Sequence, residues 1–345
     1  MQKKYNATVA KIMAIYGKRL TQQDYTEMMN RQSVSDVADY LKKNTYYSKL
    51  LASIDTNTIH RGMLENLLRR SVFETYMRIT GFEHISKQRF YNYKIIQTEI
   101  DEILRCIRCI NAGSDKLIQD VPVYINHLTS FDLLELAKIN NFAALLEFIR
   151  KTPYYELLKN ISPNEDGKVD VTRCETLLRN YYINMLKETA DSGGGDAEQF
   201  NRFLEAEIDL INVINSYRLT AYFGESEEEI EKDMLTFYGR LTAERHREIY
   251  SAPNAEEFIR RFSKTYYGKQ MIRNGYDISN IEHSVRRLRH KYARSILRRS
   301  GSAQLSVYAF FFLLETEVQN IISIIEGIRY GVESNKIASL VITAT

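Results

Sequence analysis

Three copies of one pattern run along this chain of 345 residues, and the repeat constrains the fold more than any single motif does. Each copy begins at a Leu-Thr pair, continues to two adjacent tyrosines and ends at a glutamate within an apolar stretch. The Leu-Thr pairs begin at Leu20, Leu128 and Leu241, the tyrosine pairs at Tyr46, Tyr154 and Tyr266, and the glutamates are Glu99, Glu207 and Glu317. All three markers shift by 108 residues from the first copy to the second, and by 113, 112 and 110 residues to the third. Because chance rarely keeps separate markers in step, the pattern predicts a duplicated domain.

The stretches between these markers have the composition and spacing of helices. Only 4 prolines and 15 glycines interrupt the chain. Apolar residues recur at helical spacing, as at Phe258, Ile259 and Phe262, and stop signals such as Asn111-Ala-Gly-Ser separate the helical stretches. We therefore predict an all-α protein of three helical-bundle units, each too long for a solenoid repeat. The predicted bounds of the units are residues 1–113, 114–222 and 223–345.

Charge and cysteine content restrict the partners and the compartment. A net charge of +3 over this length is too small to require a nucleic-acid or membrane partner. Three cysteines, Cys106, Cys109 and Cys174, are typical of a reducing compartment rather than of a disulfide framework. Lys11 interrupts the apolar stretch at the N-terminus, so no signal peptide is predicted. The longest apolar run, Val307–Leu314, is far shorter than the roughly 20 residues of a spanning helix, so we expect no bilayer crossing.

Candidate motifs for chemistry lack the companions that the chemistry needs. Cys106-Ile-Arg-Cys109 has the spacing of a metal or redox pair, but it lies in a helical run and no second pair accompanies it. Gly193-Gly194-Gly195 is followed by no Lys-Ser or Lys-Thr, so it is typical of a linker rather than of a phosphate loop. The histidines show no metal-ligand spacing; they are His60, His84, His127, His246, His283 and His290. We expect a chain that is not an enzyme and holds no metal, cofactor or nucleotide.

The three repeated glutamates each point toward a predicted core. Glu99, Glu207 and Glu317 have apolar residues both four positions before and four positions after them. A buried carboxylate is costly unless it is paired, so a catalytic or ion-carrying role is one reading. Three copies in one chain favour a repeated structural ion pair instead. Arginines that follow a second repeated glutamate are the predicted partners: Arg69, Arg179 and Arg286.

One segment concentrates positive charge. Seven of the fifteen residues from Val285 to Arg299 are Lys or Arg. Helical spacing predicts that Val285, Leu288, Tyr292 and Ile296 pack inward and that the cations face outward. Such a face suits solvent, an acidic protein surface, anionic lipid or nucleic acid. The acidic stretch Glu225–Asp233 is typical of a solvated helix start, and we assign it no function from the sequence.

The first Leu-Thr pair ends the sequence YGKRLT at Tyr16–Thr21, and similar openings occur at Tyr124–Thr129 and Tyr238–Thr242. With the paired tyrosines and the glutamate-containing segment, these three openings resemble the C subunit of bacterial and archaeal V/A-type ATPases, called d in eukaryotes. The resemblance covers essentially the whole chain. It implies a funnel of three similar helical domains around a pseudo-threefold axis. It also implies a position on the cytoplasmic side of the membrane, peripheral to it, between the rotor shaft and the membrane ring.

The function implied by this resemblance is coupling without catalysis. A protein of this kind passes rotation between the shaft and the ring, so that ATP hydrolysis or synthesis is linked to proton or sodium transport. We hypothesise that Arg287, Arg294 and Arg298 hold acidic rotor surfaces. An all-helical nucleic-acid-binding protein that uses residues 286–299 is the alternative, and a peptide-binding scaffold is another.

Overall fold

The computed structural model describes residues 6–81, 89–114, 121–191 and 197–343, without the side chains of Asn6 and Asp191. Within these ranges the chain is helical and contains no β-strand, which confirms the predicted all-α class. The glycine run at residues 193–195 and His84 lie outside the described residues.

Seventeen α-helices are found in the described ranges. They are α1 (Asn6–Tyr16), α2 (Gln22–Met29), α3 (Val34–Asn44), α4 (Arg61–Thr80), α5 (Tyr93–Ala112), α6 (Leu133–Leu136), α7 (Phe142–Phe148), α8 (Pro153–Leu158), α9 (Val171–Asp191), α10 (Ala197–Arg218), α11 (Glu227–Lys232), α12 (Ala243–Tyr250), α13 (Ala255–Ser263), α14 (Tyr266–Arg273), α15 (Ile281–Arg299), α16 (Ala303–Arg329) and α17 (Ser334–Ala338). Short 3-10 turns occur at Tyr46–Ser48, Arg89–Asn92 and Val123–Ile125, and a π-helical turn occurs at Leu219–Phe223.

The chain divides into two compact units. One contains residues 1–86 together with residues 282–345, and the other contains residues 87–281. The N-terminal and C-terminal segments therefore share one unit. The three-unit division predicted from the repeat stays a prediction.

In the unit that contains both termini, α16 is the central helix. It packs on α1 and α4 and also contacts α2, α3 and α17. Phe311 is buried there, and its ring meets that of Tyr76 of α4 edge to face at 5.3 Å. Among the described residues one helix, α16, is long and apolar enough to cross a membrane, as judged by length and composition alone. Most of its apolar window is buried inside this unit, which is how the core helix of a folded domain behaves.

In the second unit, α9 packs along α5 and also contacts α8 and α10. Helix α10 also packs on α12, α12 packs on α13, and α13 packs on α14. The side chains of α10 are buried on nearly all sides, including Phe203, Leu210 and Val213. A helix enclosed in this way carries little amphipathic signal in its sequence.

Polar side chains at helix starts explain why two of the sequence markers recur. Thr21 and Thr242, from the Leu-Thr pairs, cap α2 and α12 by accepting hydrogen bonds from backbone N–H groups in the first turn. A threonine also lies one or two residues before each tyrosine pair. Thr45 and Thr265 accept backbone hydrogen bonds in the same way. The markers are thus helix-start signals as well as packing positions.

Candidate functional site

A buried carboxylate cluster forms around Glu99 of α5, in the second unit. Its side chain accepts hydrogen bonds from the backbone N–H of Ser130 and from the hydroxyl of Tyr154. Ser130 follows the second Leu-Thr pair, and Tyr154 belongs to the second tyrosine pair. The cluster therefore joins three of the sequence markers.

A second cluster in the same unit forms around Asp209 of α10, which is completely buried. Its oxygens accept hydrogen bonds from the backbone N–H groups of Gly239 (3.0 Å) and Leu241 (3.1 Å) and from the hydroxyl of Tyr267 (2.8 Å). The Nε2 atom of buried His246 lies 3.4 Å from Oδ1 of Asp209. Hydrogen-bond donors thus surround this carboxylate on several sides.

The third cluster, in the unit with both termini, forms around Glu317 of α16. Oε2 accepts a hydrogen bond from the backbone N–H of Leu20 at 2.9 Å. Oε1 accepts bonds from the hydroxyls of Tyr46 (2.5 Å) and Tyr47 (3.0 Å). These contacts tie α16 to a segment almost 300 residues earlier in the chain.

The three clusters share one design. In each, a long helix supplies the carboxylate, the segment at a Leu-Thr pair supplies a backbone N–H, and a tyrosine supplies its hydroxyl. The shared tyrosines are Tyr47, Tyr154 and Tyr267, each two residues after a threonine. The carboxylate comes from one copy of the sequence repeat and its donors from the next copy, with α16 bonding back to the first. Physical packing is therefore offset from the sequence repeat.

Two expectations about the carboxylates are wrong. Glu207 is buried on α10, but the position equivalent to Glu99 and Glu317 is held by Asp209, two residues later. The predicted arginine partners also fail for Glu99 and Glu317, whose oxygens are bonded by hydroxyl and backbone N–H groups. Carboxylates accept strong hydrogen bonds from such neutral donors, so a buried cation is not needed.

The three arginines pair within their own helices. Each bonds the glutamate four residues before it: Arg69 with Glu65 (2.8 Å), Arg179 with Glu175 (3.5 Å) and Arg286 with Glu282 (3.9 Å). Arg179 also pairs with Asp101 of α5 at 2.9 Å. The sequence marker that contains these arginines is thus a repeated i,i+4 ion pair on a helix surface.

Burial sets the electrostatics of the third cluster. Desolvation raises the pKa of Glu317, while the hydrogen bonds from Tyr46, Leu20 and Tyr47 lower it. Desolvation and the nearby Glu317 carboxylate raise the pKa of both tyrosines well above the ordinary value. The hydroxyls are therefore fixed as donors at neutral pH, which suits a structural tie rather than proton transfer.

A pocket lies beside this cluster in the same unit, lined in part by Tyr16, Arg19, Tyr46, His290 and Glu317. Burial lowers the pKa of His290 to about 4, with the neighbouring Arg294 and Arg19 acting in the same direction. The imidazole is therefore neutral at pH 7. Among the described residues, no group of three or more His, Cys, Asp or Glu side chains is placed to hold a metal ion.

Two of the three cysteines, Cys106 and Cys174, are buried. Cys106 is buried in α5, and its Sγ lies 3.8 Å from the backbone oxygen of Leu136. Burial raises the pKa of Cys106 to about 12, with Cys109 adding to the shift, and burial raises the pKa of Cys174 to about 12. Such thiols stay protonated at neutral pH and are poor nucleophiles and metal ligands.

Helix α15 carries the basic segment, with a packing face partly different from the predicted one. Val285 and Leu288 are buried as predicted, but Ala293 and Leu297 are buried where Tyr292 and Ile296 were expected. The hypothesised binding residues differ in exposure: Arg298 is exposed, whereas Arg287 and Arg294 are partly buried. The guanidinium of Arg289 stacks over the ring of Phe312 at 5.0 Å.

Asp233, at the end of α11, is a carboxylate in an unfavourable environment. Burial raises its pKa to about 6, and the neighbouring Asp170 adds to the shift while Arg173 opposes it. The raised pKa means that ionisation above pH 6 costs folding free energy, whereas below the ordinary value of 3.8 the group is protonated in both folded and unfolded states.

Asp233→Asn is therefore expected to raise the free energy of unfolding at pH 7.5 by about 1 kcal/mol, after allowance for solvent screening. The gain should disappear as the pH falls below about 4. Urea unfolding of both proteins at pH 7.5 and pH 4 measures it. A gain that is the same at the two pH values would show that the charge of Asp233 is not its cause.

Comparison with known proteins identifies the family of the chain. The sequence model of the family described as ATP synthase (C/AC39) subunit matches residues 8–340, a span that contains all three clusters. The chain belongs to this family. It is similar to the C subunit of the A-type ATP synthase of Archaeoglobus fulgidus, at 21% identity over 95% of this chain and 93% of the relative.

Other relatives match with similar sequence identity. The corresponding C subunit of the A-type ATP synthase of Desulfurococcus is 22% identical, covering 97% of this chain and 90% of the relative. That of Halorubrum lacusprofundi is 21% identical, covering 97% of both. The resemblance drawn from the repeated markers is thereby confirmed at the level of the family.

Proposed function

We propose that this protein is a non-catalytic central-stalk component of a rotary ATPase or ATP synthase, which couples the rotating shaft to the ion-translocating ring of the membrane. The observation that carries the proposal is the family match over residues 8–340, since it spans both compact units rather than one motif. The relatives, each named as the C subunit of an A-type ATP synthase, support it along nearly the whole chain.

The clusters supply what a coupling element needs. Torque passes only through a body that resists bending, and each cluster holds a long helix to a distant segment through two or more hydrogen bonds to a buried carboxylate. Their threefold recurrence supports three similar helical domains, and we propose that these form a funnel with pseudo-threefold symmetry. In this proposal the protein lies peripherally on the cytoplasmic side, and its partners are the shaft subunits and the ring.

The catalytic and conducting steps belong to other subunits in this proposal. ATP hydrolysis or synthesis in the catalytic head turns the shaft, and this chain passes the rotation to the ring that carries protons or sodium ions. It binds neither the nucleotide nor the ion.

The test is purification of the tagged full-length chain from gently solubilised membranes of its source, followed by mass spectrometry of what accompanies it. We expect a nucleotide-hydrolysing head, shaft subunits and a ring. Recovery of the chain alone, or with nucleic acid, would contradict the proposal and favour the alternative use of residues 286–299.

Arg298 offers a more local test of how the protein is held in the complex. If the exposed end of α15 contacts an acidic rotor surface, Arg298→Glu should weaken assembly at low ionic strength, with a smaller effect at high salt because screening already weakens the contact. Lys168→Glu is the matched control, because Lys168 is also exposed but lies just after a turn in the other unit. Equal retention of the two variants in the complex at low salt would refute this role for Arg298.

A further inference from the structure

Two adjacent aromatic side chains stand in solvent at the end of α10. Tyr222 is 66% exposed and Phe223 is 71% exposed, at the last residues of the π-helical turn Leu219–Phe223. Gly224 ends the turn in the left-handed conformation, with φ of 63°. The ring of Tyr222 meets the edge of Tyr217 at 5.9 Å, and Tyr217 packs on buried Phe258. Tyr222 is thus supported by the core through Tyr217, while both rings of the pair are mostly exposed.

Carboxylates follow this pair directly. Glu225, Glu227 and Glu228 are exposed, and among the residues that the structure describes none of the three forms an ion pair. The next two acids differ, since Glu229 pairs with Lys232 at 2.6 Å and Glu231 pairs with Arg247. Burial is the main cause of the raised pKa of Asp233, and Glu229 and Glu225 add smaller contributions to it.

A solvated helix start accounts for the carboxylates but not for the aromatic rings. Acidic residues in the first turn of α11 favour the helix through its dipole. Two neighbouring rings left in water forgo a large gain from burial, and exposed aromatic residues are enriched where proteins meet partners. Tyr330, which is 70% exposed in the other unit, differs because the guanidinium of Arg329 lies over its ring at 5.7 Å.

We propose that Tyr222, Phe223, Glu225, Glu227 and Glu228 form a docking surface for a basic, amphipathic segment of another protein subunit. We call it the aromatic-acidic surface. Arginine or lysine side chains of the partner would lie over the rings and extend to the carboxylates, while apolar side chains beside them cover the ring edges.

The charge of the surface selects a protein as the occupant. Anionic lipid headgroups and nucleic-acid phosphates are repelled by three unpaired carboxylates, whereas a cationic protein segment is attracted. Rings and carboxylates together also match a segment with both apolar and cationic side chains better than a uniformly charged one. This inference rests on the proposed function only in taking that segment from a subunit of the same complex.

The test replaces Phe223 with the photo-crosslinking residue p-benzoylphenylalanine in the tagged full chain, assembled with its complex in cells. Irradiation, digestion and mass spectrometry then identify the crosslinked peptide. We expect a peptide of positive net charge from another subunit. A second protein that also carries Glu225→Gln, Glu227→Gln and Glu228→Gln should give several-fold less of this product, and so should irradiation at high salt. The same photo-crosslinker at Tyr330 is the matched control, because Tyr330 is equally exposed but has the guanidinium of Arg329 over its ring and lacks the cluster of three glutamates.

The outcomes separate the two proposals. If the complex is recovered but position 223 gives no protein crosslink, or gives one to an acidic or uncharged peptide or to lipid, the aromatic-acidic surface is rejected and the coupling proposal stands. If the crosslinked peptide is basic but comes from a protein outside any ATPase, the docking surface is supported and the coupling proposal is rejected. A yield from position 223 that is unchanged by the three glutamine substitutions would also overturn the docking proposal.

Discussion

Replacement of Asp209 by alanine is expected to lower the free energy of unfolding by about 3–5 kcal/mol. The substitution leaves the buried N–H group of Leu241, the buried hydroxyl of Tyr267 and the partly buried N–H group of Gly239 without their acceptor. Each unsatisfied buried donor costs roughly 1–3 kcal/mol. Urea unfolding followed by circular dichroism, with helix loss as the signal, is the appropriate measurement.

Two companion variants make this result interpretable. Asp166→Ala removes an exposed carboxylate in a turn of the same unit and should change stability by less than about 0.5 kcal/mol. Tyr267→Phe removes one donor but leaves the carboxylate with its backbone partners, so a loss of about 1 kcal/mol is expected. A loss for Asp209→Ala no larger than that for Asp166→Ala would show that the cluster does not stabilise the fold.

The second large effect is expected at Gly268, in the first turn of α14. A Cβ atom at this position would overlap the backbone oxygen of Phe262 and lie 2.6 Å from the Cα of Ser263. Both neighbours are backbone atoms, so no rotamer change relieves the overlap. Gly268→Ala should therefore move α14 away from α13 and cost about 3 kcal/mol, toward the upper end of overpacking effects.

Gly301→Ala is the matched control for this substitution. A Cβ atom at Gly301 would have no neighbour within 4 Å, so the substitution should be neutral or stabilise the chain by up to about 1 kcal/mol. The two thermal unfolding midpoints provide the comparison. Equal midpoints would mean that α13 and α14 do not approach as closely as the structure shows.

Two of the three buried carboxylates could be predicted from the sequence. Glu99 and Glu317 occur in the matching segments TEI and TEV, with apolar residues four positions before and after each glutamate. This spacing predicts that they face a core, and both are buried. The same similarity in AEI selected Glu207, but α10 is enclosed on nearly all sides, so both Glu207 and Asp209 are buried and the apolar pattern cannot choose between them. The hydrogen-bond donors identify Asp209 as the carboxylate of the cluster, since Gly239, Leu241 and Tyr267 all donate to it.

The hydrogen-bond partners of the carboxylates could not be predicted from the sequence. An opposite charge is the natural partner to seek in a sequence, and the arginines Arg69, Arg179 and Arg286 were available in every copy. Each of them instead bonds the glutamate one helical turn away. Tyrosine hydroxyls and backbone N–H groups carry no charge that would identify them as partners in a sequence.

The sequence by itself determined the all-α class, the recurrence of the three markers and the family, because these depend on local helix signals and on residues counted along the chain. Only the tertiary structure decided that Glu99 and Asp209 bond the following copy, and that Glu317 of α16 bonds the first copy at Leu20. It likewise decided that Tyr222 and Phe223 stand in solvent beside unpaired acids. These features depend on which segments meet across long sequence distances, and hydrophobic spacing specifies that a face is buried without specifying against which partner.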